Sequence, residues 1–118
     1  MSRLMSVAFT EQAVVERRKT VTRRKGWVFL KPGDRLTLCR KVMGRKKGEP
    51  LVRLVDVEVV DVRREPLGDM PESDVTLEGF PEMSRVDFIN RFFVNAQGIF
   101  GDDLVTRIEW RYLDEAAS

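Results

Sequence analysis

One run of alternating residues constrains this chain most. Across residues 51–62, Val52, Leu54, Val55, Val57 and Val59 alternate with Asp56, Glu58 and Asp61, the period of a half-buried strand. The alternation slips at Leu54 and Val55, which predicts a bulge or bend there. A long strand that bends is what a small barrel needs, because closing a sheet demands tilt and curvature.

The other elements fit around that strand. Residues 4–9 read as a first strand, and Thr10 as the cap of a short helix running to Arg17 with Ala13 and Val14 inward. Lys31-Pro32-Gly33-Asp34 is a turn, with proline presetting φ and glycine supplying φ > 0. Residues 35–41 follow as a strand with Leu36 and Leu38 on one face, and residues 44–50 as a polar loop. Residues 64–81, rich in proline, glycine and acids, predict a loop. Ser84, with Asp87 three residues on, predicts a capped helix to Val94 that keeps Val86, Ile89 and Phe93 at helical spacing. Residues 104–113 predict a last strand with Ile108, Trp110 and Tyr112 on one face and Arg107, Glu109 and Arg111 on the other; the tail from Asp114 to Ser118 is expected to fray. The order β-α-β-β-β-α-β predicts one α+β domain over residues 1–118, a small mixed β-barrel with two flanking helices.

The chemistry concentrates between the first helix and the second strand. Glu-Arg-Arg-Lys-Thr-Val-Thr-Arg-Arg-Lys, residues 16–25, sets six cations around a β-branched run that favours extended backbone. Cations held on extended backbone suit phosphates. The charge is also split along the chain. Residues 1–53 hold 15 bases against 4 acids, a balance of +11, and residues 54–118 hold 6 bases against 15 acids, a balance of −9. Such asymmetry points to a nucleic acid or a membrane surface facing the basic half. The alternative is that the two halves pair with each other in the fold.

Several classes are excluded. No stretch approaches the roughly 20 apolar residues of a membrane span, and residues 1–6 lack the apolar centre of a signal peptide. One cysteine, Cys39, forms no internal disulfide, which fits a reducing cytoplasm. Cys39 lies in an apolar strand pattern and reads as a buried, inert thiol. With no histidine in the chain, no Ser-His-Asp or Cys-His site can be built, and neither a zinc site nor a nucleotide-binding loop is supported. No metal or cofactor is expected. Acid–base work falls to Lys, Asp, Glu or Tyr.

Two elements resemble a known family. Arg18-Lys19-Thr20-Val21-Thr22-Arg23-Arg24, followed by Lys31-Pro32-Gly33-Asp34-Arg35-Leu36, is similar to the ASCH domain, and Glu78-Gly79-Phe80 before the second helix resembles its later Glu-Gly-Phe block. The resemblance runs in order from Leu4 to Tyr112, and Arg17 stands where the family usually has glycine. It implies a barrel of the PUA-like superfamily, of the small stand-alone bacterial or phage type. Some relatives hydrolyse N4-acylated cytidines with a lysine, a threonine and a glutamate, which would fall on Lys19, Thr22 and Glu78; others are thought to bind RNA.

Two functions follow as expectations. In the first, a cationic cleft with Arg18, Lys19, Arg23, Arg24, Lys46 and Lys47 binds RNA, another nucleic acid or a modified nucleoside, with Trp27 or Phe80 stacking a base. Core packing is the competing role for both aromatics. In the second, Thr22 attacks an amide carbonyl, Lys19 takes its proton and Glu78 protonates the leaving amine. In a regular strand Lys19 and Thr22 would face opposite sides, so this needs an irregularity at Val21.

Overall fold

The computed structural model describes residues 2–113; the tail from Asp114 to Ser118 lies outside the described residues. Five strands form one curled sheet: β1 (Arg3–Ser6), β2 (Val21–Arg24), β3 (Arg35–Cys39), β4 (Arg53–Pro66) and β5 (Leu104–Tyr112), in the order β1-β3-β4-β5-β2. Only β1 and β3 run parallel; the other pairs are antiparallel. The result is a mixed half-barrel whose two open edges are β1 and β2.

β4 is the spine, and it bends twice. Leu38 pairs with Val55 and Cys39 with Arg53, so Leu54 is the extra residue, where the alternation slips in the sequence. Val59 pairs with Trp110 and Asp61 with Glu109, leaving Val60 as a second extra residue. Each extra residue raises the local twist, which curls the sheet around its first core. That core holds Met5, Val7, Val14, Leu36, Leu38, Val57, Val59, Ile108 and Trp110. Each fully buried aliphatic side chain of this kind contributes about 1.5–3 kcal/mol.

Three helices pack around the sheet: α1 (Glu11–Val15), α2 (Glu72–Leu77) and α3 (Arg85–Ile89), the last continuing as a π-helical turn over Asn90–Asn95. α2 replaces part of the loop expected over residues 64–81. It is short, follows Pro71 and has no strong apolar stripe, while acids in its first turn suit the helix dipole. α3 starts where expected, with the Ser84 hydroxyl accepting from the Asp87 amide. Its inward face differs from the expected one. Val86 is 59% exposed, whereas Phe88 and Phe93, five residues apart, are buried. The five-residue spacing matches the wider π turn.

A second core of Leu67, Met70, Val75, Phe88, Phe93, Ile99 and Val105 forms under α2 and α3. β5 therefore has apolar neighbours on both faces, and its expected outer face is covered at Val105 and Arg107. Two smaller expectations also change. β1 ends at Ser6 because the chain turns into a 3-10 turn at Ala8–Thr10, and Thr10 gives α1 no side-chain cap. Trp27 packs on the first core beside Phe29.

Helix α1 ends through Arg17, which adopts φ 61°. A non-glycine residue held there is disfavoured by roughly 1–2 kcal/mol. Arg17→Gly is therefore expected to stabilise the fold by up to about 1 kcal/mol. Urea unfolding measures this; a lower midpoint in the glycine variant contradicts it.

Candidate functional site

The site lies at the seam between the two open edges of the half-barrel. A cavity of about 300 Å³ is lined by Ser6, Val7, Ala8, Phe9 and Thr10 after β1, and by Lys19, Thr22, Arg23 and Arg24 at β2. Glu78 and Phe80 from beyond α2, with Phe88, Phe92, Phe93, Ala96 and Gln97 of the α3 segment, complete the wall. Arg24 spans the seam: its Nη2 donates to the Ser6 carbonyl at 2.7 Å.

Lys19 and Thr22 reach the same cavity because regular pairing begins only at Val21. Residues 18–20 are irregular, so the departure lies before Val21. It is fixed by hydrogen bonds. Thr20 N–H donates to Leu77 O, Trp110 N–H donates to Thr20 O, and the Trp110 indole and Tyr112 hydroxyl both donate to Lys19 O. Gly79 has φ 110°, and a Cβ there would lie 3.1 Å from the Ala13 Cβ. Glycine thus lets the Glu78 turn close against α1.

Lys19 and Glu78, distant in sequence, meet in this wall. The Lys19 ammonium donates to the Glu78 backbone carbonyl at 2.9 Å and lies 3.6 Å from its Oε1. Burial pulls the Lys19 pKa down from 10.5 to about 8, aided by the Arg24 and Arg23 charges and opposed by Glu78. Thr22 is buried and its hydroxyl accepts from Arg24 Nε at 3.2 Å. Burial also lowers the Arg24 pKa.

Arg23 is not available to phosphates. Its side chain is 0% exposed. Nη1 donates to Glu78 Oε2 at 2.9 Å, and Nη2 reaches Asp74 Oδ2 at 2.5 Å and Glu65 Oε2 at 3.3 Å. Arg107, directly opposite Arg23 on β5, donates through Nε to the same Asp74 oxygen at 2.8 Å. Burial works against both arginine charges, but these carboxylates outweigh it and raise their pKa values. Burial likewise opposes the Asp74 charge, but Arg107 and Arg23 hold its pKa below the usual range. Here the basic N-terminal half pairs internally with the acidic C-terminal half.

The other expected phosphate ligands are dispersed. Arg18 is exposed and pairs with Glu16 at 2.6 Å. Lys46 and Lys47 are exposed in the β3–β4 loop and are not part of the cavity wall, nor is Trp27. The aromatic wall instead comes from Phe9, Phe80, Phe88, Phe92 and Phe93. Asp74, Arg107 and Glu65 buttress the cavity wall behind Arg23, though none was named as a site residue from the sequence. The one available signal was the i, i+4 spacing of Asp74 and Glu78, which aligns two carboxylates on one helix face.

Two measurements check this electrostatic arrangement. Arg23→Ala removes the cation shared by Asp74 and Glu78, leaving Asp74 to Arg107 and Glu78 to Lys19, and is expected to cost about 3 kcal/mol in urea unfolding, the low end for breaking a buried pair. A cost under 1 kcal/mol contradicts the pairing. Between about 8 and 10.5 the unfolded chain carries a proton on Lys19 that the folded chain has lost. Stability relative to Lys19→Met should therefore rise with pH across that window. A flat or falling difference contradicts a depressed Lys19.

No family model and no curated protein matches the sequence. Solved structures do match the fold. An ASCH domain from Lactobacillus crispatus superposes with TM-score 0.64 at 13% identity, covering 93% of this chain and 79% of that one. An Enterococcus faecalis protein of the family DUF984 gives TM-score 0.63 at 18% identity, covering 88% of this chain. The ASCH protein of Zymomonas mobilis gives 0.58 at 14%, covering 92%. This chain spans 66% of the Enterococcus protein and 65% of the Zymomonas one. With the curled mixed sheet and flanking helices, these likenesses define the architecture: the chain has an ASCH-like fold, a small α+β half-barrel.

Proposed function

We propose that the cavity binds the base of a nucleoside, either free and modified or carried by RNA. The observation behind this reading is the convergence of Lys19, Thr22, Arg24 and Glu78 on a cavity otherwise walled largely by phenylalanine. Its volume, about 300 Å³, falls at the small end of ligand sites, which pair apolar walls with a few placed polar groups. A nucleobase suits both parts: flat faces for the rings, and carbonyl and amino edges for the ammonium, guanidinium and carboxylate. The exposed Arg18, Lys46 and Lys47 would add phosphate contacts if the base belongs to a polymer. Titration with a short single-stranded RNA tests that branch. Affinity is expected to fall with salt, each phosphate contact adding about 0.7 to the log–log slope, and Lys46→Ala with Lys47→Ala should make the slope shallower. An unchanged slope removes those lysines from the reading.

The depressed Lys19 beside Glu78 favours a second reading, hydrolysis of an N4-acylated cytidine. A lysine near half-neutral at about pH 8 can act as a base. Thr22 Oγ adds to the acyl carbon while Lys19 takes its proton. The C–N bond breaks as the proton taken by Lys19 is returned to the amine, directly or by way of the adjoining Glu78 carboxylate, and cytidine leaves. Water then cleaves the acyl-threonine ester, releasing the carboxylic acid and restoring Thr22. Chromatographic release of cytidine from N4-acetylcytidine is expected to rise with pH and level off above about 8. It should vanish in Thr22→Ala, which has no nucleophile, and in Lys19→Arg, which has no usable base. Equal release by folded Thr22→Ala would leave binding as the function.

A further inference from the structure

Phe9 stands out among the cavity residues. It lines the cavity and yet is 81% exposed. Leaving a phenylalanine in water forgoes about 1.5–3 kcal/mol of burial, so its position calls for a partner that arrives later. The ring has one aromatic neighbour, Phe92, at 6.1 Å with an interplanar angle of 61°. That contact leaves most of the Phe9 ring uncovered. Behind it, Phe92, Phe80 and Phe88 form a packed cluster, with Phe80 and Phe92 centroids 4.5 Å apart. The cavity therefore has a closed aromatic wall on the α3 side and a single uncovered ring on the β1 side. Lys19, Thr22, Arg24 and Glu78 supply the polar part of the lining.

Phe9 is also held firmly enough to serve a ligand. It sits in the 3-10 turn Ala8–Thr10. The turn is tied to the sheet by Val7 N–H to Cys39 O and closed by Thr10 N–H to Val7 O, both 2.9 Å. With the backbone of the turn fixed, only the two side-chain torsions of Phe9 are left to order on binding, which lowers the cost of stacking.

We propose that Phe9 is the stacking platform of this cavity, so that the site selects a flat heteroaromatic ring. The ring lies against the free face of Phe9 while its polar edge meets Lys19, Arg24 and Glu78. This deepens the base-binding reading and rests on it. Stacking on a free ring is tolerant of base identity. In this site Phe9 sets affinity for any flat base, and the polar rim sets which base is preferred.

The test is calorimetric titration of cytidine, uridine and adenosine into the wild-type chain and four variants, each with a melting curve. Phe9→Ala and Phe9→Leu are expected to weaken binding about 5- to 150-fold, the span of base–aromatic stacking losses. Phe9→Trp should bind at least as tightly as wild type. Phe29→Ala, at an exposed ring outside the cavity wall, should bind as wild type does. Melting temperatures should be unchanged at Phe9, because little of its surface is buried. Leucine keeps apolar bulk without a ring face, so wild-type affinity in Phe9→Leu overturns the proposal. So does wild-type affinity in Phe9→Ala. Failure of wild type itself to bind cytidine, uridine or adenosine overturns the base-binding reading instead.

Discussion

Asp74 holds this structure together at its most expensive point. Arg23 and Arg107 are paired directly across β2 and β5, where like charges repel, and both are buried. One Asp74 oxygen accepts from both guanidinium groups and makes the juxtaposition tenable. Because Asp74 belongs to α2, the ion cluster also docks that helix on the sheet. Glu78 follows one turn later, and Arg23 and Lys19 grip its two carboxylate oxygens. The candidate site thus inherits its geometry from the cluster: Asp74 and Glu78 hold Arg23 between them, and Glu78 in turn meets Lys19.

That arrangement explains why a basic segment became interior structure. Extended backbone sends alternate side chains to opposite faces. On β2, Thr22 and Arg24 meet the seam and Arg23 meets the carboxylates of the helical side. The half-barrel leaves β1 and β2 unpaired with each other, and Arg24 bridges them through the Ser6 carbonyl. A fully paired sheet would have no such seam and no room for the cavity. The incomplete closure and the binding space are the same feature. Burial of Lys19 in that seam, with two arginines close by, depresses its pKa; the sheet's topology and the lysine's chemistry are therefore linked.

Much of this was legible in the residues. The slip at Leu54 and Val55 marked a bulge because period-two patterning is local and survives in any fold that uses the strand. The Pro32-Gly33 turn and the Ser84 cap were readable because each satisfies a backbone requirement within a few residues. The motif around Lys19, Thr22 and Glu78 named three side chains that line one cavity. Helix α2 was not legible: six residues carry too little periodicity, and its stability comes from Asp74 and Val75 docking.

The sequence by itself determined the run of strands, the first of the two bends in β4 and the polar residue types near the site, since these depend on local patterning and backbone chemistry. Tertiary structure alone decided which cations remain available. Arg18, Lys19, Arg23 and Arg24 look equivalent in a row, yet one is exposed, one is buried and depressed, one is locked among carboxylates and one bridges the seam. Nothing local distinguishes them, because a charge's role depends on solvent access and on partners brought from up to 59 residues away. The same holds for Phe9, whose exposure at the cavity rim is set by where β1 ends and where α3 packs.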